Sequence, residues 1–295
     1  MRLGQKSSPA RDVSTAVDLP AAGRRRERQI VYLDRLLAHV PLHRALTRSV
    51  ECLLVSDVEL APPVLDLGCG DGTFAHALFE TPLAVGIDPD GEMVRWASRH
   101  GAYRALIIAS GDHLPFRSKA FASVLCNSTL EHIPQRRAVL QEMSRVLAPH
   151  GTCIVTVPSE YFLRYHLGSS LARGLRIPVL GRLYERWVRY ISRTVHCDPP
   201  DVWQDRLGEA GLVIRNWRYY FTAASTKAMD AAHYLSVPSL LTKRLLGRWV
   251  LWRGKGRYLP LARWLAPLAQ EGSEDEGAFL LFRCRKEKRA REARA

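Results

Sequence analysis

Residues 64–75 read Val-Leu-Asp-Leu-Gly-Cys-Gly-Asp-Gly-Thr-Phe-Ala, an apolar run that stops at three alternate glycines and resumes with helical character. The pattern predicts a strand, a glycine loop and a helix. Glycines let the backbone approach a ligand closely because no Cβ intervenes, and N–H groups at the start of a helix point at any polar group bound there. We therefore expect this loop to bind a ligand.

Strand and helix patterns keep alternating after the loop. The predicted elements are a helix over about 73–80, strand Leu83–Asp88, helix Gly91–His100, strand Tyr103–Ala109, strand Phe121–Cys126, helix Leu130–Leu147, strand Thr152–Val157, helix Asp201–Ala210, strand Leu212–Phe221 and strand Ala278–Cys284. Two further helices are expected between Arg24 and Ser56, divided at Pro41. This alternation predicts an α/β fold with a doubly wound, mostly parallel sheet.

In such a sheet, ligands bind beyond the carboxyl ends of the strands, beside the first one. The candidate binding residues are those that end the strands, namely Asp66, the loop residues Gly68, Cys69, Gly70 and Gly72, then Asp88, Asp112 and Asn127. Asp88 follows Gly68 by about 20 residues, the spacing at which a carboxylate accepts hydrogen bonds from a ribose diol. Asp112 is placed to accept a hydrogen bond from the exocyclic amine of an adenine.

Five motifs in order give the chain a family resemblance. They are Val64–Gly72, Gly86–Asp88, Gly111–Phe116, Leu130–His132 and Glu142–Gly151. In these motifs the chain resembles class I S-adenosylmethionine-dependent methyltransferases of type 11, the small-molecule group of ubiquinone and menaquinone methyltransferases. The resemblance spans roughly 60–221 and 277–285. It implies a Rossmann-like sheet of seven strands whose last strand runs antiparallel.

The resemblance also implies roles for the candidate residues. S-adenosylmethionine is the expected cofactor, with Asp66 and the Asn127 carbonyl near its ammonium group and Asp88, followed by Pro89, at its ribose. Asp112 and the backbone of His113 would hold the adenine. A dinucleotide site is the alternative for the glycine loop, but the third glycine of that motif would fall at Thr73. Methyl transfer by direct displacement calls for no metal.

His132 is the candidate catalytic residue, because it follows the fourth strand and could act as a general base. The alternative is a structural histidine in the first turn of a helix, since methyl transfer from a sulfonium requires mainly alignment of the acceptor. His196, His233 and Tyr161 are weaker candidates of the same kind.

The chain has 43 Lys and Arg against 29 Asp and Glu, a formal charge of +14. Residues 61–158 are nearly neutral, so the excess lies in the additions around them, and the partners of those additions should be acidic. The six cysteines show neither disulfide nor zinc spacing. We expect no membrane-spanning helix and no signal peptide, and a cytoplasmic protein, with peripheral membrane contact left open.

The expected organisation has eight parts. They are a disordered basic tail 1–23, N-terminal helices 24–58, the cofactor-binding half of the core 59–158, an insertion 159–198, a core helix and strand 199–221, a basic aromatic insertion 222–276, the last core strand 277–285 and a charged tail 286–295. Both insertions are expected to be helical and to form a cap. The acceptor is expected to be recognised there, because the core binds the common cofactor.

Residues 231–270 contain no acidic residue, and their Lys and Arg are interleaved with Trp, Tyr and Leu. This composition suits an anionic membrane surface or a lid over a lipid-like acceptor. A cap packed on the core, or a dimer contact, is the alternative. A nucleic-acid acceptor is disfavoured because residues 126–129 read Cys-Asn-Ser-Thr.

The sequence thus predicts a methyltransferase that acts on a small or lipid-linked acceptor. The alternatives are a non-catalytic or membrane-docking module with the same fold, and an RNA methyltransferase. The composition and motifs leave the oligomeric state open.

Overall fold

The computed structural model of the chain describes residues 22–246, 249–250, 256–273 and 275–287. Most of the predicted tail 1–23 and the end of the tail 286–295 lie outside the described residues.

The strands form one seven-stranded sheet in the order β3-β2-β1-β4-β5-β7-β6. Their bounds are β1 Val64–Leu67, β2 Leu83–Asp88, β3 Tyr103–Ile108, β4 Phe121–Asn127, β5 Leu147–Pro158, β6 Leu212–Tyr220 and β7 Phe279–Lys286. The pairs among β1 to β5 are parallel, whereas β7 runs antiparallel to both β5 and β6. The predicted α/β class and the antiparallel last strand are confirmed.

Twelve α-helices are present among the described residues. They are α1 Ala22–Leu37, α2 Leu42–Val55, α3 Thr73–Leu78, α4 Gly91–Ala97, α5 Arg136–Val146, α6 Phe162–Tyr165, α7 Leu167–Gly174, α8 Pro178–Ser192, α9 Pro200–Glu209, α10 Ala223–Leu235, α11 Pro238–Leu246 and α12 Leu259–Leu265. Short 3₁₀ helices follow α4 at Ser98–His100, precede α5 at Leu130–His132 and follow α12 at Ala266–Leu268.

The middle strands are buried on both faces, as expected for parallel strands covered by helices. Leu125 and Ile154 pack with α1, α2 and α3. Their neighbours Val124 and Cys153 pack with α5 and α9 on the other side. Because side chains alternate along a strand, these two clusters are the two faces of one sheet.

Two predicted boundaries in the middle of the chain are wrong. The helix predicted over Leu130–Leu147 is a 3₁₀ turn at Leu130–His132 followed by α5 at Arg136–Val146. Pro134 lies between the two pieces, where its ring disfavours a continuous helix. Strand β5 begins at Leu147 rather than at Thr152, because Leu147 already pairs with Phe121 before a register shift.

Both insertions are helical and meet on the face covered by α2. Residues 159–198 contain α6, α7 and α8, and residues 222–276 contain α10, α11 and α12. Helix α10 packs against α2 and α7, and α7 packs against α8. Within the described residues, every helix is too short or too polar to cross a bilayer.

Candidate active site

The glycine loop between β1 and α3 is tied to the end of the neighbouring strand. The backbone N–H groups of Gly68 and Cys69 donate to the carbonyl of Ile87, at 2.9 and 2.8 Å. Gly70 has a φ of 53°, a left-handed conformation that favours glycine. A Cβ built on Gly70 would meet no atom within 4 Å. The loop therefore presents its backbone to an open space that a ligand can enter.

Asp88, at the end of β2, holds the rim of this loop in place. One carboxylate oxygen accepts from the Gly70 N–H at 2.9 Å, and the other accepts from the Asp90 N–H at 2.9 Å. Partial burial of Asp88 raises its pKa. Asp90 in turn caps α4 by accepting from the Glu92 N–H at 2.8 Å. Pro89 lies exposed between the two aspartates.

Asp66, in β1, is a buried carboxylate with only 3% of its surface exposed. The Tyr103 hydroxyl donates to it at 2.7 Å. Burial raises the pKa of Asp66 to about 6, although the Tyr103 hydrogen bond and the charge of Arg48 act in the opposite direction. The sequence did not single out Tyr103, which reaches Asp66 across β2. The space for its ring exists because residue 86 is glycine, where a Cβ would lie 2.8 Å from the ring.

The segment 111–116 follows β3, and α5 fixes its shape. Glu142 accepts from the Leu114 N–H at 2.8 Å, and Arg145 donates to the carbonyls of Leu114 and Phe116 at 3.0 and 2.7 Å. Asp112 and His113 are exposed at the tip of this segment. The motif around Glu142 thus positions a loop in which two candidate adenine-binding residues lie.

Asn127, at the end of β4, has both ends of its side chain engaged inside the protein. Its amide N–H donates to Glu51 at 2.9 Å, and its amide oxygen accepts from the Thr156 hydroxyl at 2.7 Å. The backbone carbonyl of Asn127 accepts from the Thr129 hydroxyl at 3.2 Å. The side chain is therefore structural, and the carbonyl is the group that faces the loop region.

Glu51 of α2 is a fully buried residue that the sequence analysis missed. Besides Asn127, it accepts hydrogen bonds from the Ser128 hydroxyl and the Tyr220 hydroxyl, both at 3.0 Å, and pairs with Arg48. A single carboxylate thus joins α2, the end of β4 and the end of β6. The only sequence signal was an acidic residue inside an apolar helix pattern.

Comparison with known proteins adds a family to this geometry. Residues 65–155 match the family model described as a methyltransferase domain. The uncharacterized methyltransferase YodH of Bacillus subtilis is 40% identical over 100 residues, which cover 31% of this chain and 41% of that protein. The chain carries a class I methyltransferase domain.

Other similar proteins agree with the domain. A ubiquinone biosynthesis O-methyltransferase of Psychrobacter arcticus is 33% identical over 101 residues, 32% of this chain and 39% of that protein. The match spans about two fifths of the length of these two curated relatives. A SAM-dependent methyltransferase structure from Thermotoga maritima, described as a possible histamine N-methyltransferase, has a TM-score of 0.50 at 18% identity. It covers 88% of this chain and 91% of that chain, and at this identity the likeness shows the fold alone.

S-adenosylmethionine is the cofactor of this methyltransferase domain. The residues present fit it, because the open space above Gly70 lies between a buried carboxylate, Asp66, and a rim carboxylate, Asp88. Carboxylates are suited to an ammonium group and to a ribose diol, respectively.

His132 lies just after β4, in the 3₁₀ turn of the methyltransferase domain. Its Nδ1 is 3.0 Å from the carbonyl oxygen of Arg193. A carbonyl only accepts, so Nδ1 carries the proton and Nε2 keeps its lone pair. Partial burial lowers the pKa of His132, which favours the neutral ring. This is the tautomer and the charge state that a general base requires.

Glu131, beside it, is buried, and burial raises its pKa to about 8. Its Oε2 atom has no hydrogen-bond partner among the described residues. The backbone carbonyl of Glu131 accepts from the N–H groups of Val195 and His196, at 2.8 and 3.3 Å. The segment that leaves α8 is thereby attached to the turn that carries His132.

The weaker candidates lie in three different places. His196 adjoins the His132 turn through that backbone hydrogen bond. Tyr161 stacks on Tyr165 with ring centres 5.5 Å apart. His233 of α10 packs edge-on against His43 of α2 at 4.6 Å. The structure thus brings His196, and neither of the other two by any of these contacts, next to His132.

Proposed function

We propose that the protein transfers a methyl group from S-adenosylmethionine to a small or lipid-linked acceptor. The observation that carries this proposal is the placement of Asp66, Gly70 and Asp88 around one open space in a methyltransferase domain. The bound cofactor supplies an electrophilic methyl group on a positively charged sulfur. A non-catalytic protein would have no need to keep Asp66 buried at the cost of desolvating a carboxylate.

The chain's own groups then have separate roles. Asp66 and the Asn127 carbonyl accept hydrogen bonds from the ammonium group, Asp88 accepts from the ribose, and the segment 111–116 holds the adenine. The Nε2 atom of His132 takes the proton from the acceptor as it is methylated. Alignment of the acceptor by the surrounding helices supplies most of the remaining barrier reduction.

The insertions are proposed to form the acceptor side of the site. Lys243 of α11 lies 5.8 Å from the ring centre of Trp96 on α4, the helix that follows Asp88. The second insertion thus reaches the cofactor half of the domain. The first insertion is attached to the His132 turn through Val195. Together they can exclude water from the acceptor.

A lipid-linked acceptor is favoured by the outer surface of these insertions. Along α8, Leu180, Leu183, Trp187 and Tyr190 share one side of the helix and are 51%, 55%, 49% and 77% exposed. Arg182, Arg186 and Arg189 are exposed along an adjacent side. Apolar and basic stripes on one helix are typical of helices that lie in an anionic membrane interface.

The same surface continues into the predicted membrane-contact segment 231–270. Leu235, Leu240, Leu241 and Leu245 are all more than half exposed. Because α7 packs against both α8 and α10, the exposed leucines of α7 lie between these two groups. We name the exposed apolar and basic residues of α7, α8, α10 and α11 the insertion surface, and we propose that it contacts an anionic membrane from which the acceptor is taken.

The proposed reaction is tested with the full-length chain and methyl-labelled S-adenosylmethionine added to a cell extract. The products are separated into lipid, small-molecule and RNA fractions. We expect label in the lipid or small-molecule fraction, and its loss in Asp88→Ala, which also weakens binding of S-adenosylhomocysteine. His132→Gln should lower the rate of labelling and leave that binding unchanged.

Two results would contradict the proposal. Label confined to the RNA fraction would overturn the acceptor class. Tight binding of S-adenosylhomocysteine with no label above a boiled control would overturn the activity and favour a binding module.

A further inference from the structure

Three histidines that are far apart in the sequence meet in the folded chain, on residues that have no role in the proposed methyl transfer. His39 follows α1, His76 lies in α3, and His100 ends the 3₁₀ helix after α4. Their ring centres are 5.1 Å (His39 to His76), 5.0 Å (His39 to His100) and 4.9 Å (His76 to His100) apart. One nitrogen of each ring lies within 4.8 Å of the others.

These separations are those of imidazoles around one metal ion. A zinc–nitrogen bond of about 2.0–2.1 Å places each ring centre about 3.2 Å from the ion, and tetrahedral angles then separate the ring centres by about 5 Å. The ligand nitrogens of such a site lie about 3.3 Å apart. The observed ring centres already match, so rotation of the rings in place is enough to bring the nitrogens together.

The surroundings allow an ion and its remaining ligands. The three rings are half-buried and line a cavity of about 390 Å³, together with Arg35 and Glu80. The guanidinium of Arg35 is 2.8 Å from the Glu80 carboxylate and donates to the Ala77 carbonyl at 2.8 Å. Its charge is therefore balanced locally, and the cavity has room for water as a fourth ligand.

We propose that His39, His76 and His100 bind one divalent transition-metal ion, with zinc as the ion that suits three imidazoles and a water. Neutral imidazole is a preferred ligand of zinc, cobalt, nickel and copper, and a set without carboxylates does not suit magnesium or calcium. The ion joins the end of α1 to α3, the helix that starts at the glycine loop, so its role is to fasten the N-terminal helices to the cofactor-binding half.

The sequence analysis expected no metal site, because the histidines show no metal-binding spacing along the chain. The three ligands come from separate elements, and only the packing of α1 on α3 brings them together.

The test uses the full-length chain with any affinity tag removed, treated with a chelator and then titrated with Co²⁺. We expect uptake of about one ion per chain with the intense visible absorption of four-coordinate cobalt, and displacement of that absorption by Zn²⁺. Zn²⁺ should also raise the melting temperature. In His76→Asn and in His100→Asn, we expect Co²⁺ binding to be at least about tenfold weaker and the zinc-dependent shift in melting temperature to be lost.

His150→Asn is the matched control. His150 is exposed, and its φ of 62° is a conformation that asparagine adopts readily. This variant should keep the full cobalt absorption. The proposal is overturned if the wild-type chain takes up no Co²⁺, a result that needs no variant to fold. It is equally overturned if His76→Asn, with native circular dichroism, binds Co²⁺ like the wild type.

Discussion

Asp66 accepts the Tyr103 hydroxyl at 2.7 Å in a position where almost none of its surface reaches water. Burial raises its pKa to about 6, while Arg48 lowers it and Asp88 raises it. The ionised carboxylate is the form that attracts an ammonium group, so binding of S-adenosylhomocysteine should weaken as Asp66 becomes protonated. We expect about a tenfold loss of affinity from about pH 7.5 to about pH 5, measured by isothermal titration calorimetry.

Asp66→Asn supplies the control for this pH dependence. The variant should bind weakly at every pH, with a flatter profile, because it has no charge to lose. In the cofactor-free protein, the pKa of Asp66 is higher folded than unfolded, so the folded state binds more protons and stability decreases as pH rises from about 4 to about 6. Asp66→Asn should therefore not be less stable at neutral pH. An unchanged pH profile in Asp66→Asn would contradict the assignment.

Helix α2 contributes Glu51, whose carboxylate receives hydrogen bonds from Asn127, Ser128 and Tyr220 and pairs with Arg48. In Glu51→Gln, the amide N–H group faces donors, and Arg48 loses its buried anion. We expect the free energy of unfolding to fall by about 3 kcal/mol, measured by urea denaturation.

Glu59→Gln is a matched change of an exposed glutamate just beyond the same helix. Its free energy of unfolding should stay within about 0.5 kcal/mol of the wild type. If the two variants were equally stable, Glu51 would not be the group that joins α2 to the ends of β4 and β6.

The elements of the core could be predicted from the sequence because each strand and helix carries its own periodicity. The bounds of β2 match the prediction, and Asp66 and Asp88 could be named because parallel order places successive strand ends at one edge. Tyr103 and Glu51 could not be named. Tyr103 reaches Asp66 from two strands away through the space left by Gly86, and the partners of Glu51 come from three other segments. Such contacts depend on packing between elements, which local periodicity does not encode.

At the scale of the whole molecule, a nearly neutral core carries basic helical insertions on one face. Leucines that would be buried in a closed core are exposed on α7, α8, α10 and α11, which is costly in water unless another surface covers them. The formal charge of +14 makes an anionic surface the best match for that cover.

This surface predicts binding to lipid vesicles that depends on both charge and apolar contact. The full-length chain should float with phosphatidylglycerol-containing vesicles, much less with phosphatidylcholine alone, and less at high salt because screening weakens the attraction. The triple variant Leu180→Ser, Leu183→Ser and Trp187→Ser should lose most of this binding, since it removes apolar side chains that are about half exposed and are not needed for folding. Val31→Ser, at a 41% exposed position on α1, should float like the wild type. Sedimentation velocity distinguishes a second copy of the chain as the cover: a dimer that the triple variant dissociates, with no flotation of the wild type, would contradict membrane contact.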